Sequence, residues 1–313
     1  MNIHPPPAAS RPVLPSWRDF NQLTKISISA ASTFTAAAGY LAALRRFQGG
    51  LGTTLLGILL MAMGSCALNE VQEFRYDARM QRTRDRPLPS GRVSRLGGLL
   101  LGAGLSGAGF ALLLWFHGWP AALLGLLALV WYNGVYTPLK RVTAFAIIPG
   151  ALIGAIPPAI GWAAAGGDLL APAMFALCLL FFLWQVPHFW MLMLIHDQDY
   201  ERAEFPTLSR HFRPDQSARL SFTWMGATAC SCAFLPIFGA VFSTPVLVLL
   251  ALAALWLMWQ ATGLLRSTLD RALFRRTFWS INLFALVMIL AVSADPFLGS
   301  RAHRISAIAQ RAP

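Results

Sequence analysis

The feature that most constrains this chain is a succession of apolar segments, each long enough to cross a lipid bilayer. They fall at roughly 26–44, 49–68, 95–116, 120–137, 143–165, 171–195, 217–242, 245–265 and 277–294. A hydrocarbon core about 30 Å thick needs about 20 apolar residues in a helix. Inside it the backbone must satisfy its own hydrogen bonds, so segments of this kind span as helices. The expectation is therefore an all-α, polytopic membrane protein of about nine transmembrane helices. Composition agrees: 56% of residues are hydrophobic and only 12% charged, against about 25% charged in soluble domains. A soluble protein is excluded. The net charge of +12 does not point to nucleic acid, because the basic residues sit between the apolar runs. Cys66, Cys178, Cys230 and Cys232 all fall inside apolar runs with no CxxC pair, as small hydrophobes do.

The chain divides into three parts: an N-terminal lead over 1–24, disordered or interfacial; a transmembrane unit over 25–295; and a tail over 296–313. Orientation is set by lysine and arginine. With the N-terminus cytoplasmic, that side collects Arg11, Arg18 and Lys25, the arginines from Arg75 to Arg95, Lys140, Arg141 and those from Arg202 to Arg219 and Arg266 to Arg276. Positive residues favour the cytoplasmic side, so the long loops at 69–94 and 196–216 face the cytoplasm. Arg45 and Arg46 dissent. These two loops hold nine of the chain's 13 acids. A bundle does not need that clustering for stability; a metal–phosphate site at one rim does.

The first loop is the focus. In NEVQEFRYDARMQRTRDRPLPSG, residues 69–91, Asn69, Glu73 and Asp77 stand four apart. On a helix they line one face, about a turn apart. An amide oxygen and two carboxylates in a row suit a hard divalent cation such as Mg²⁺, which often shares phosphate oxygens. Acids and arginines pairing in solvent is the bland alternative. Arg82 and Arg86 come next, with Pro87, Pro89 and Gly91 stopping the helix, and make a candidate diphosphate clamp. A second segment, 132–162, places Tyr136, Lys140 and Arg141 at a helix end on the same side, then crowds Gly150, Gly154, Pro157, Pro158 and Gly161 into one span. Close helix packing explains the glycines, and the double proline suggests a kink lining a cavity. A third, 182–208, carries His188 in or near mid-span beside Trp184 and Gln185, and then Asp197, Asp199, Glu201 and Glu204. A polar residue at membrane depth is a site candidate, though a histidine can equally be satisfied by a neighbouring carbonyl. Asp197 and Asp199 are candidates for metal ligands opposite the first loop.

Read together, these segments resemble the UbiA superfamily of intramembrane prenyltransferases, and within it the branch that farnesylates protoheme IX. The likeness rests on Asn69, Glu73 and Asp77 running into Met80, Arg82, Thr83, Arg86, Pro87 and Leu88; on Tyr136, Thr137, Leu139, Lys140, Arg141 and Thr143; on Gly154 to Trp162; and on Trp184, Pro187, His188 and Phe189 before Asp199 and Tyr200. It spans about residues 20 to 290. The resemblance implies transfer of a farnesyl group from farnesyl diphosphate to haem B, giving haem O, in a helical bundle around a central cavity with a cytoplasmic loop cap in a bacterial inner membrane. It implies Mg²⁺ held by Asn69, Glu73 and Asp77 with Asp199 and Asp197 opposite, and diphosphate met by Arg82, Arg86, Lys140 and Arg141. Tyr136 and Trp184 would wall the prenyl cation, and His188 would contact haem. Three positions and one segment depart from the pattern: Glu73 replaces Asp, Ala146 replaces Asn, Gln185 replaces Thr, and Pro206 to Ser209 replaces Pro-Met-Leu-Pro. They leave open a different acceptor, such as an aromatic quinone precursor, and a non-catalytic transporter or haem-handling factor.

Overall fold

The structure, a computed structural model, describes residues 16–46, 49–266 and 270–298. Residues 1–15 of the expected lead and 299–313 of the expected tail lie outside these. Residues Trp17–Thr24, the described end of that lead, form helix α1, whose N-terminus is capped by the Ser16 hydroxyl accepting from the Asp19 N–H. Lys25, in the left-handed region at φ 47°, turns the chain directly into α2, Ile26–Leu44.

Helix α3, Gly50–Asp77, has 28 residues, about 42 Å at 1.5 Å per residue. That exceeds a hydrocarbon core of about 30 Å, so one end projects beyond it. The apolar stretch lies toward the N-terminus, which puts Asn69, Glu73 and Asp77 at the rim. Next come α4, Arg95–Val130, then α5, Leu152–Ala164, and α6, Pro172–Ile195. The short α7, Asp197–Arg202, leads through a loop to α8, Pro214–Ser231, α9, Thr244–Ala261, and α10, Arg271–Leu298.

Eight described helical stretches are long and apolar enough to cross a membrane, against nine expected segments. The difference lies in the stretch Arg95–Leu139, 45 residues that run on as one. That would measure about 68 Å, too long for a single crossing. Gly118 breaks it, with φ 75° and ψ −175° inside α4 and Pro120 just beyond. The two segments expected at 95–116 and 120–137 flank that break.

The core forms where α2 meets α5, α3 meets α4, and α6 meets α8 and α10. Two glycines make the first contact possible. A Cβ on Gly39 would overlap the Pro158 carbonyl oxygen, and one on Gly161 would overlap that of Ala36. The backbones therefore touch, the small-residue packing expected of membrane helices. Pro157 and Pro158 are buried, and the helix runs continuously through them. Outward-facing Trp115, Leu170, Leu255, Trp259 and Trp279 are exposed, as acyl chains permit. No cysteine is bonded to another; Cys66 and Cys232 are buried.

Candidate active site at the loop-bearing rim

The last two turns of α3 carry Asn69, Glu70, Glu73 and Asp77, all buried, with Glu70 fully so. Charged groups are costly to bury without partners, and the partners come from outside α3. Asn69 donates from Nδ2 to the Thr137 hydroxyl at 3.0 Å and accepts at Oδ1 from Lys25 Nζ at 3.4 Å. Glu73 Oε2 accepts from Lys140 Nζ at 2.7 Å. Asp77 Oδ2 accepts from Arg86 Nη1 at 2.8 Å. Arg86 also sets Nε 3.6 Å from Glu70 Oε1, and the flanking acids hold its guanidinium above its ordinary pKa.

The sequence explains why these partners arrive. Beyond Asp77, Thr83 bonds back to the Asp77 carbonyl oxygen, and Met80 and Leu88 are buried, folding residues 78–94 over the helix end. Lys140 is delivered by a distortion: Trp131–Tyr136 forms a π-helical turn, with the Thr137 hydroxyl donating to the Tyr132 carbonyl oxygen five residues back. Such single turns often mark functional positions, since the extra residue re-aims the side chains beyond it. Arg141 donates to the Gln72 carbonyl oxygen at 2.8 Å, pinning this corner to α3.

The two acidic loops meet. Arg79 pairs with Glu204 at 2.8 Å, Gln81 N–H donates to Asp199 Oδ1 at 3.3 Å, and Arg202 donates to Gln81 Oε1 at 3.1 Å. Asp199 thus joins the first loop. Asp197 does not: it accepts from Ser209 and lines a neighbouring groove with Arg210 and Arg213. Arg82 is exposed at the mouth, close enough to His196 to help burial press that imidazole's pKa below its ordinary value. Tyr200 faces the same charges, and burial raises its phenol.

Beneath the cations lies an aromatic wall. A cavity is lined by Tyr136, Lys140, Ala146, Phe189, Tyr200 and Phe205. Lys140 Nζ stands 5.4 Å from the Tyr136 ring centre, and Tyr136 stacks on Phe189 at 6.0 Å. The row continues through His188, 5.3 Å from Phe189, to Trp184 at 4.9 Å from His188. Trp184 and His188 thus sit farther along, against α10, where Trp184 donates to the Ile281 carbonyl oxygen. Ala146, one of the departing positions, lines the cavity, and Gln185 sits against Gly154.

Among the described residues, no three His, Cys, Asp or Glu side chains converge as a ready metal cage. Yet both Glu70 oxygens and Glu73 Oε1 are buried without a hydrogen-bond partner. Orphaned carboxylate oxygens of this kind fit a hard divalent cation, which takes oxygen ligands. Glu70 lies within the acidic stretch 69–91, and the sequence pattern assigns it no role. Its spacing, i−3 from Glu73 and i−7 from Asp77, puts it on the same face and is the signal that could have found it. Lys25 leaves no such trace.

The UbiA prenyltransferase family model matches residues 32–282. The chain is 45% identical over 196 residues to a protoheme IX farnesyltransferase of Geobacter sulfurreducens, covering 60% of this chain and 70% of that one. It is 32% identical over 283 residues to one of Oleidesulfovibrio alaskensis, covering 90% and 98%. Among solved structures, a UbiA homolog from Archaeoglobus fulgidus bound to GPP and Mg²⁺ superposes with a TM-score of 0.63 at 12% identity, over 88% of this chain and 99% of that one. A UbiA homolog from Aeropyrum pernix superposes with a TM-score of 0.67 at 20% identity, over 85% and 98%.

Proposed function

The chain belongs to the UbiA prenyltransferase family, and from that premise we propose that it transfers a farnesyl group from farnesyl diphosphate to haem B, giving haem O. The observation that carries the reading is a buried line of acids on α3, in which Glu73 and Asp77 are each held by a cation from outside the helix, beside an aromatic wall. An anionic head on a long apolar tail needs that combination at a membrane rim. The relatives named as protoheme IX farnesyltransferases supply the acceptor.

Lys140, Arg86, Arg82 and Arg141 bind and orient the diphosphate, and their fixed charge stabilises it as it leaves. Asn69, Glu73 and Asp77, with Glu70 and Asp199, would hold Mg²⁺, while Asp197 stands apart. Bound there, Mg²⁺ would neutralise charge developing on the diphosphate. As the allylic C–O bond breaks, its electron pair leaves with diphosphate. The allylic carbon then carries positive charge against the faces of Tyr136 and Phe189, where π electrons favour it. A haem vinyl group forms the new C–C bond, and water adds to the resulting cation with loss of a proton. His188 contacts the haem. Residues 25–295 form the catalytic unit, and the lysine and arginine distribution supports a cytoplasmic rim in a bacterial inner membrane.

The test is expression of the full chain in cells lacking their own haem O synthase. Haem O in the lipid extract, read by mass spectrometry, is the expected result. Pyrophosphate release with a hydroxybenzoate-type acceptor and none with haem B would replace haem by a quinone precursor.

A further inference from the structure

His188 has a partner that no family motif named above contains. Its Nδ1 lies 2.9 Å from Oδ1 of Asn282, on the facing helix α10. The orientation of the Asn282 amide is decided by a third group, because its Nδ2 donates to the Phe278 carbonyl oxygen one turn back. Reversing the amide would set two oxygens against each other. Oδ1 therefore faces His188, and an amide oxygen can only accept. Nδ1 must carry the proton, which leaves the neutral ring's lone pair on Nε2.

Among the described residues nothing hydrogen-bonds that Nε2. The ring is flanked by Trp184 at 4.9 Å, Phe278 at 5.0 Å and Phe189 at 5.3 Å. Two polar side chains facing each other between membrane helices are expensive unless they serve a site. One ring nitrogen fixed by an acceptor and the other left open is how ligating histidines are arranged: the outer bond sets the tautomer, aims the ring and raises its basicity.

We infer that Asn282 is a positioning residue that holds His188 in the Nδ1–H tautomer, so that Nε2 ligates the iron of the porphyrin acceptor. This rests on the haem reading above. It also places the acceptor, since Phe189 is the next residue and stacks on Tyr136. A porphyrin ligated by His188 lies beside the wall that faces the prenyl carbon.

The full chain in detergent micelles, titrated with ferric haem B and monitored by its Soret band and electron paramagnetic resonance, tests this. Wild type gives the signature of imidazole-ligated haem, His188→Ala loses it, and added imidazole restores it. Asn282→Leu weakens haem binding by about 10–100-fold with unchanged helical circular dichroism. Asn282→Asp, still an acceptor for Nδ1–H, keeps the ligation signature and lowers the haem reduction potential. Wild-type affinity and spectrum in Asn282→Leu, with His188→Ala still defective, overturns the role of Asn282 and leaves the acceptor reading intact. A wild-type spectrum in His188→Ala overturns ligation by His188 and with it the role of Asn282, whereas a wild-type chain that binds no haem overturns the acceptor reading itself. An Asn282→Asp variant as weak as Asn282→Leu reduces the bond to helix packing and also overturns the inference. If Asn282→Leu does not insert, the Asn282→Asp potential decides, and an unshifted value overturns it.

Discussion

The loop-bearing rim and the opposite face both hold buried charge, and they treat it in opposite ways. On the opposite face the Asp295 carboxylate accepts from the Phe242 and Ser243 N–H groups, at 2.8 to 3.1 Å, at the start of α9. Arg45 donates to the Gly239 carbonyl oxygen and lies 3.9 Å over the Phe242 ring. His117 engages both ring nitrogens, with the Thr53 and Thr54 hydroxyls on one side and the Ala164 carbonyl oxygen on the other. That face commits both Asp295 oxygens and both His117 nitrogens to nearby backbone groups and hydroxyls. At the rim the acids meet the side-chain cations Arg86 and Lys140, and three carboxylate oxygens keep no hydrogen-bond partner. Charged oxygens left buried without a hydrogen bond are costly to the fold, and three of them on adjacent turns of one helix point to a use beyond stability.

Removing one carboxylate from each face should separate the two roles. Asp77→Ala leaves Arg86 without its 2.8 Å partner at the site and should cut diphosphate release by at least about 100–1,000-fold, the scale for losing one preorganised electrostatic element. Helical circular dichroism and membrane insertion should stay normal. Full activity in Asp77→Ala would end the assignment. Asp295→Ala should do the reverse. Stripping buried N–H groups of a charged acceptor costs about 2–4 kcal/mol, read as a lower thermal midpoint in micelles, with turnover per folded molecule unchanged.

The contrast also separates the legible from the hidden in the sequence. The helical bundle was legible because apolar runs of bilayer length admit no other fold. Asn69, Glu73 and Asp77 were legible because i, i+4 spacing on a helix fixes a common face. The partners were not. Lys140 reaches Glu73 only because a π-helical turn shifts the residues beyond Tyr136, and no local pattern announces that extra residue. Asp197 and Asp199 looked equivalent, yet their side chains diverge, toward Ser209 and Gln81. Asn282 lies in an apolar span and gains meaning only from His188, 94 positions away.

Glu70 sharpens the comparison further. Its carboxylate is buried with no hydrogen bond and only Arg86 Nε at 3.6 Å. Glu70→Gln removes a fully buried charge that makes no hydrogen bond, so the relieved desolvation offsets the lost 3.6 Å attraction to Arg86 and stability should change by no more than about 1 kcal/mol. Activity should nevertheless fall about tenfold, with a higher Mg²⁺ requirement, through loss of a charged donor. A stability loss like that of Asp295→Ala, with no kinetic change, would move Glu70 into the structural class.

The smallest effect lies at the edge of the rim, where α1 docks through Asp19 and Arg92 at 2.8 Å. The Arg92 guanidinium and the Ser16 hydroxyl hold the Asp19 carboxyl below its ordinary aspartate value. A carboxyl depressed in the folded state adds stability that is fully present above the unfolded pKa of about 3.9. That stability is lost as pH falls through the lowered folded value. Above that window, docking of α1, monitored by amide exchange over Trp17–Thr24, should be pH-independent; below it, exchange should accelerate. Arg92→Ala should weaken the acid dependence, leaving the part due to Ser16, and cost about 1 kcal/mol or less, the usual scale for a pair with one half-exposed member. Because this contact serves docking alone, turnover by the rim acids should not track it, and a matching loss of diphosphate release in Arg92→Ala would tie α1 to the site instead.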